Sequence, residues 1–133
     1  MSVKAVIDTN VLVSALLTKN QNSPTYRIAD AILNDRFTTV YSHGMLDEYA
    51  EVLGRGYLKL PSSRVDELLM HIKLSGEEAM PTESDAHFPD IDDKVFFCTA
   101  LACDAHLVTG NMKHYPRVDF IVTPAQFCDL VGI

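Results

Sequence analysis

The chain has 133 residues, 47% of them hydrophobic, and carries 18 acidic against 11 basic side chains for a net charge of −7. Its length suits a single domain over residues 1–133, and its composition excludes a disordered or collagen-like chain. The acidic balance excludes a protein that holds nucleic acid by bulk positive field, though not one that meets phosphates through bound divalent cations.

No apolar run approaches the ~20 residues a membrane span needs. Residues 1–17 lack a basic leading segment and carry Asp8 inside the apolar stretch, so no signal peptide is expected. Cys98, Cys103 and Cys128 form no CxxC pair and have no histidine at zinc-finger spacing. Reduced, mostly buried thiols and a cytoplasmic location are the expectation.

In chain order, Val3 to Ile7 is a β-branched run suited to a strand buried on both faces. It stops at Asp8-Thr9-Asn10, and a new apolar stretch, Val11 to Leu17, begins without a Gly or Pro break. Asp8 therefore stands where a strand gives way to a helix, as a helix cap or as a ligand in the carboxyl-end crevice of an open sheet. After a polar loop, Ser23 and Pro24 are a plausible cap and first helical residue. Ile28, Ala29, Ile32 and Leu33 then form the stripe of a helix expected to end near Arg36. Thr38 to Ser42 is a β-prone second strand.

On the next helix, an advance of ~100° per residue gathers Met45, Tyr49, Val52, Leu53 and Leu46 on one face. Glu48 falls on the edge of that face, while Asp47 and Glu51 point outward. A loop with Arg55, Tyr57 and Lys59 leads to an amphipathic helix of Val65, Leu68, Leu69, Ile72 and Leu74. Residues 77–83 can supply only a short edge strand because of Pro81.

The charge deficit lies wholly in the second half: residues 76–133 hold 3 basic and 10 acidic side chains, seven of the latter between Glu77 and Asp93. A loop ends in Asp90-Ile91-Asp92-Asp93. The helix expected from Asp93 to Asp104 is apolar all round, the mark of a buried helix. Asp93 sits in its first turn, where the macrodipole favours negative charge, and Asp90 or Asp92 can cap it. His106 to Thr109 is a strand with Gly110-Asn111 turning at its carboxyl end, so Asn111 matches Asp8 in position. Phe120 to Thr123 is a last strand, and Pro124 opens a terminal helix with Phe127, Cys128, Leu130 and Val131. The order predicts an α/β fold, a three-layer α/β/α sandwich around a mainly parallel sheet of about five strands.

Asp8, Glu48, Asp93 and Asn111 each stand at a strand end or near a helix start and can face one crevice. Three carboxylates and an amide crowded together suit a hard cation, Mg²⁺ or Mn²⁺. The chemistry expected of such a set is metal-assisted in-line attack of water on a phosphodiester.

Asp8-Thr9-Asn10-Val11-Leu12, Glu48-Tyr49 with Val52-Leu53, Asp92-Asp93-Lys94-Val95-Phe96 with Ala100-Leu101-Ala102, and Leu107-Val108-Thr109-Gly110-Asn111 resemble the successive motifs of the PIN domain. The closing Thr123-Pro124-Ala125-Gln126-Phe127 is similar to the tail of its toxin-like branch. The resemblance implies a metal-dependent endoribonuclease, the toxin component of a toxin–antitoxin pair. It places the catalytic, metal-holding carboxylates on Asp8, Glu48 and Asp93, with Asp92 as a supporting neighbour of the third. It gives Thr109 a role in holding a carboxylate or a metal water, and makes Asn10 the residue that steadies the first acid. The fourth acidic position holds Asn111, a departure: an amide oxygen still ligates a hard cation but adds no negative charge.

That departure motivates a second expectation, a catalytically weakened module that binds RNA or a protein partner without cleavage. A phosphatase with Asp8 as nucleophile is a third, opposed by Asn10 where a second Asp would be wanted. His43, His71, His87, His106 and His114 show no paired spacing, and none is assigned to catalysis. The resemblance also implies an RNA substrate, a small antitoxin protein and a homodimer. Exposed apolar residues such as Tyr26 and Leu69 are candidates for partner contacts. Arg27, Arg36, Arg55, Lys59 and Arg64 are candidates for an RNA track.

Overall fold

The computed structural model describes residues 3–133. Five strands, β1 (Lys4–Ile7), β2 (Thr38–Tyr41), β3 (Glu77–Glu78), β4 (His106–Val108) and β5 (Ile121–Val122), form one sheet in the order β3-β2-β1-β4-β5. Every pairing is parallel, so the mainly parallel sheet expected from the sequence is wholly parallel. Six α-helices flank it in an α/β/α arrangement: α1 (Thr9–Leu17), α2 (Pro24–Leu33), α3 (His43–Leu53), α4 (Ser62–Ser75), α5 (Ile91–Ala102) and α6 (Pro124–Val131). None of the described helices is long and apolar enough to cross a membrane.

The central position of β1 explains its composition. With β2 and β4 on either side and helices on both faces, Ala5, Val6 and Ile7 are fully buried. The fully buried Tyr49 of α3 donates its phenol hydrogen bond to the Ile7 carbonyl. This contact ties the middle of α3 to the carboxyl end of β1, and hence Glu48 to the neighbourhood of Asp8.

Several boundaries differ from the sequence expectation for local reasons. The second helix ends at Leu33 rather than near Arg36, because Asp35 adopts a left-handed conformation at φ 54°. The fifth begins at Ile91 because Asp90 Oδ1 accepts from the Asp92 amide at 2.9 Å and caps it. It ends at Ala102 rather than Asp104, which lies at φ 52°. Nor is it buried all round, since Leu101 is 40% exposed on its outer edge. Leu74, expected on the buried face of α4, is solvent-exposed, and the core stripe there is Val65, Leu68 and Ile72. Tyr26 and Leu69 are half-buried rather than exposed.

The segment 77–83 yields only the two-residue strand β3, at the sheet edge. Gly76 makes that strand possible: a Cβ there would lie 2.5 Å from the Ile72 carbonyl oxygen and 2.6 Å from that of Thr39. Only glycine lets the chain leave α4 so close to β2.

Candidate functional site

The chain moves outward from β1 to β2 to β3, then crosses back to place β4 on the other side of β1. In open α/β sheets, a crevice opens at the carboxyl ends of strands where the winding direction reverses. Here that point lies between β1 and β4, and it is marked by Asp8 and Thr109. The backbone continues the ladder one step past β1, with the Asp8 amide on the Val108 carbonyl at 2.9 Å, and one step past β4, with the Thr109 amide on the Val122 carbonyl at 3.0 Å.

Asp8 stands at the N-cap position of α1, yet its carboxylate does not serve as the helix cap. Instead its Oδ2 gathers three donors: Thr109 Oγ1 at 2.8 Å, Tyr115 OH at 3.1 Å and Asn10 Nδ2 at 3.4 Å. Each donor is itself positioned. The Asn111 amide donates to Thr109 Oγ1 at 3.0 Å, which directs the threonine proton toward Asp8. The Gly110 amide donates to Asn10 Oδ1 at 3.3 Å, which fixes the amide group with its nitrogen toward the carboxylate. Asp8 is 6% exposed, and burial raises its pKa above the usual aspartate range despite the opposing bonds from Thr109 and Tyr115.

Tyr115 joins the first carboxylate to the next. Its hydroxyl lies 3.1 Å from Asp8 Oδ2 and 3.4 Å from Asp93 Oδ1, so one phenol proton is shared between two acids. Burial, then the charges of Asp8 and Asp93, hold the phenol far above its ordinary pKa, and it remains a donor. Asp93, in the first turn of α5, also has His114 Nδ1 3.3 Å from its Oδ2. Its pKa is raised by burial first and by the nearby Asp8 and Asp90 charges next. Glu48 projects from α3 and accepts from Thr9 Oγ1 at 3.3 Å. Burial again comes first in raising its pKa, followed by the charge of Asp92.

Asp8, Thr9, Asn10, Glu48, Asp93 and His114 line one cleft of about 710 Å³ that also takes in Asp90, Asp92 and Asn111, with Thr109 and Tyr115 behind its wall. The structure thus brings Asp8, Asn10, Asp93 and Thr109 into one hydrogen-bonded cluster, with Glu48 beside Asp92 in the same cleft. Asn111 is exposed at its rim. Of the cations singled out in the sequence, Arg55 lines this cleft; Arg27 is tied to the Asn22 and Ile133 carbonyls elsewhere, and Arg36 and Arg64 line other depressions. Tyr115 and His114 are site residues that sequence reasoning missed. His114 ends, and Tyr115 follows, a short 3₁₀ turn, Met112–His114, whose irregular backbone gives no periodic signal, and only the turn at Gly110-Asn111 hints that the chain doubles back.

A family model for the PIN domain matches residues 4–113 of the chain. The chain belongs to the PIN-domain family. PIN domains are typically nucleases and generally use divalent metals. The matched segment carries Asp8, Glu48, Asp93 and Asn111, while Tyr115 falls just beyond it. No curated protein gives a match to the chain.

The donors of this PIN domain fit a hard divalent cation by their chemistry. Among the described residues, no three His, Cys, Asp or Glu side chains gather tightly enough to enclose one ion. The carboxylates instead come in pairs, Asp8 with Asp93 through Tyr115 and Glu48 with Asp92. Mg²⁺ commonly binds through one or two carboxylates and keeps several waters, so paired acids at an open cleft are adequate. Three half-buried or buried carboxyls, each with its pKa pushed up, are also groups whose ionised form a cation would stabilise.

Proposed function

We propose that this PIN domain is an Mg²⁺- or Mn²⁺-dependent endoribonuclease, with Asp8, Glu48 and Asp93 as its catalytic carboxylates. The observation that carries the reading is the Tyr115 hydroxyl set between Asp8 and Asp93 at the point where the strand order reverses. Asp8, Glu48 and Asp93, with the Asn111 amide oxygen at the rim, are the groups that would hold the cation, one pair of carboxylates directly and the others through waters the ion keeps. When bound, such a cation supplies Lewis acidity toward a phosphoryl oxygen and lowers the pKa of an attacking water.

The remaining work falls to the chain. Thr109, Asn10 and Tyr115 converge on Asp8 Oδ2, so Oδ1 is the oxygen left to a ligand. Second-layer donors of this kind orient a metal ligand and hold its rotamer. Thr9 does the same for Glu48, and Asp90, by capping α5, sets the first turn from which Asp93 projects. Asp92 adds negative charge beside Glu48 and supports the same cation. His114, beside Asp93, is the imidazole nearest the acids and orients that carboxylate.

The test is cleavage of a labelled single-stranded RNA with Mg²⁺, Mn²⁺ or EDTA. Asp93→Asn is expected to lower kcat by at least about 100-fold, and EDTA to abolish cutting. Equal cutting in EDTA would overturn the metal mechanism.

The further role proposed is that of a toxin neutralised by a small antitoxin protein, supported by the resemblance of residues 123–127 to the toxin-like tail. Induced expression should then arrest growth for the wild type and not for Asp8→Asn; indifference to both would remove the toxin role. Pairing with a second copy belongs to the same proposal, and light scattering that finds monomer alone would remove it.

Asn111 favours one alternative, an RNA- or protein-binding module with a weakened centre. An amide at the fourth acidic position contributes no charge, so fewer cations are held. RNA binding without cutting, under every divalent metal tried, would select it.

A further inference from the structure

The cleft has two ends of different character. At one end stand Asp8, Glu48, Asp92 and Asp93; Arg55 is the lone Arg or Lys among the described residues that line it. Glu48 and Val52 are spaced i, i+4 on α3 and both line the cleft. Arg55 lines it as well, from two residues past the carboxyl end of that helix, so the cation stands beyond Glu48 where the chain leaves α3. Val13 and Leu17 of α1 add apolar surface to the lining.

Arg55 is held in place. Its Nε and Nη2 grip the two Glu51 oxygens at 3.2 and 2.7 Å, which occupies two of its five N–H groups. A bidentate fork of this kind fixes the guanidinium plane at small entropic cost. Beside it lies the Tyr57 hydroxyl. Tyr57 sits in a one-turn 3₁₀ segment, Gly56–Leu58, and its ring is 74% exposed.

A polyanion entering an acidic cleft is repelled everywhere except at its cations. The one guanidinium in the wall is where the backbone of the substrate has to pass, and a bare aromatic ring next to it is a platform for a base. Stacking on such a ring requires an unpaired base, which a duplex does not offer.

We propose that Arg55 and Tyr57 form a strand-holding subsite that takes a phosphate and the adjoining unpaired base of the substrate, a few nucleotides from the scissile bond. The subsite deepens the ribonuclease reading and rests on it. Glu51 serves as the positioning residue that aims Arg55.

The experiment uses the full chain and a 5′-labelled oligoribonucleotide, single-stranded or annealed to its complement. Cleavage is followed in Mn²⁺, and binding by fluorescence anisotropy in Ca²⁺, which takes the same oxygen ligands. Tyr57→Ala and Arg55→Gln are each expected to raise KM and Kd for the single strand by roughly 5- to 100-fold, with kcat moving far less. Tyr57→Phe, which keeps the ring, should restore most of that loss. The duplex should bind poorly and be indifferent to Tyr57→Ala. Unchanged KM and Kd in both variants, or equal losses for single strand and duplex, would overturn the subsite while leaving the nuclease in place. Binding without cutting, still weakened by Tyr57→Ala, would overturn the nuclease and keep the subsite. A wild-type chain that neither binds nor cuts RNA would overturn both.

Discussion

At the scale of single residues, the site is a cluster of acids held above their usual pKa by burial. Asp8, Glu48 and Asp93 all depart upward from ordinary values of 3.8, 4.5 and 3.8. A carboxyl with a raised folded-state pKa binds its proton more tightly in the folded chain than in the unfolded one. Without a cation, its contribution is therefore neutral below the ordinary value and turns unfavourable as pH rises through the raised one. Relative to the wild type in EDTA, Asp93→Asn should accordingly gain stability as pH climbs from about 4 toward neutrality. Thermal unfolding at a series of pH values checks this, and a gap that shrinks with rising pH would contradict it. The four positions named from the sequence, Asp8, Glu48, Asp93 and Asn111, do reach one cleft, because each ends a strand or borders a buried helix face, and those features are local. Tyr115 was not legible. Its hydroxyl meets Asp8 across 107 positions of sequence, and no local pattern announces a contact of that range.

At the scale of elements, periodicity located all six helices and the three inner strands, because apolar stripes and β-branched runs report directly on burial. The ends were less legible, since left-handed residues at Asp35 and Asp104 and a capping carboxylate at Asp90 decide them. The edge strand β3 depends on one atom's worth of space. Gly76→Ala would drive a methyl group against the Ile72 and Thr39 carbonyls, both of them backbone and unable to swing aside. We expect a loss of about 2 kcal/mol, read as a lower urea midpoint at unchanged slope. A variant as stable as the wild type would mean that α4 and β2 part without cost. By contrast, α6 is closed by a reciprocal capping box between Thr123 and Gln126, a motif readable in sequence as Thr-Pro-Ala-Gln.

For the whole molecule, the strand order β3-β2-β1-β4-β5 creates the crevice, and this order is what sequence reading leaves open. Parallel strands of similar composition look alike in one dimension; which of them flank β1 is settled by packing among distant residues. The acids that make the second half so negative are also placed by this order, with Asp92 and Asp93 delivered to the end of β1. Their mutual repulsion predicts that a divalent cation stabilises the entire fold. At about 100 times its dissociation constant, Mn²⁺ should add about 2.7 kcal/mol, read as a rise in Tm. Asp8→Asn should lose most of that increment, and an equal rise in both proteins would place the ion elsewhere.

The union of Asp8 with Thr109 spans 101 positions, and this has a bearing on synthesis. As the chain is made, Asp8 emerges well before Thr109, and β1 has an unfilled edge until residues 106–108 arrive to pair with it. Contacts of such long range form late and slowly. A nascent chain thus carries Asp8 unclamped while the 101 positions up to Thr109 are added, and the hydroxyls that aim it join only afterwards. A chain halted before Thr109 would retain Asp8 and Asp93 without the Thr109 and Tyr115 hydroxyls that hold them.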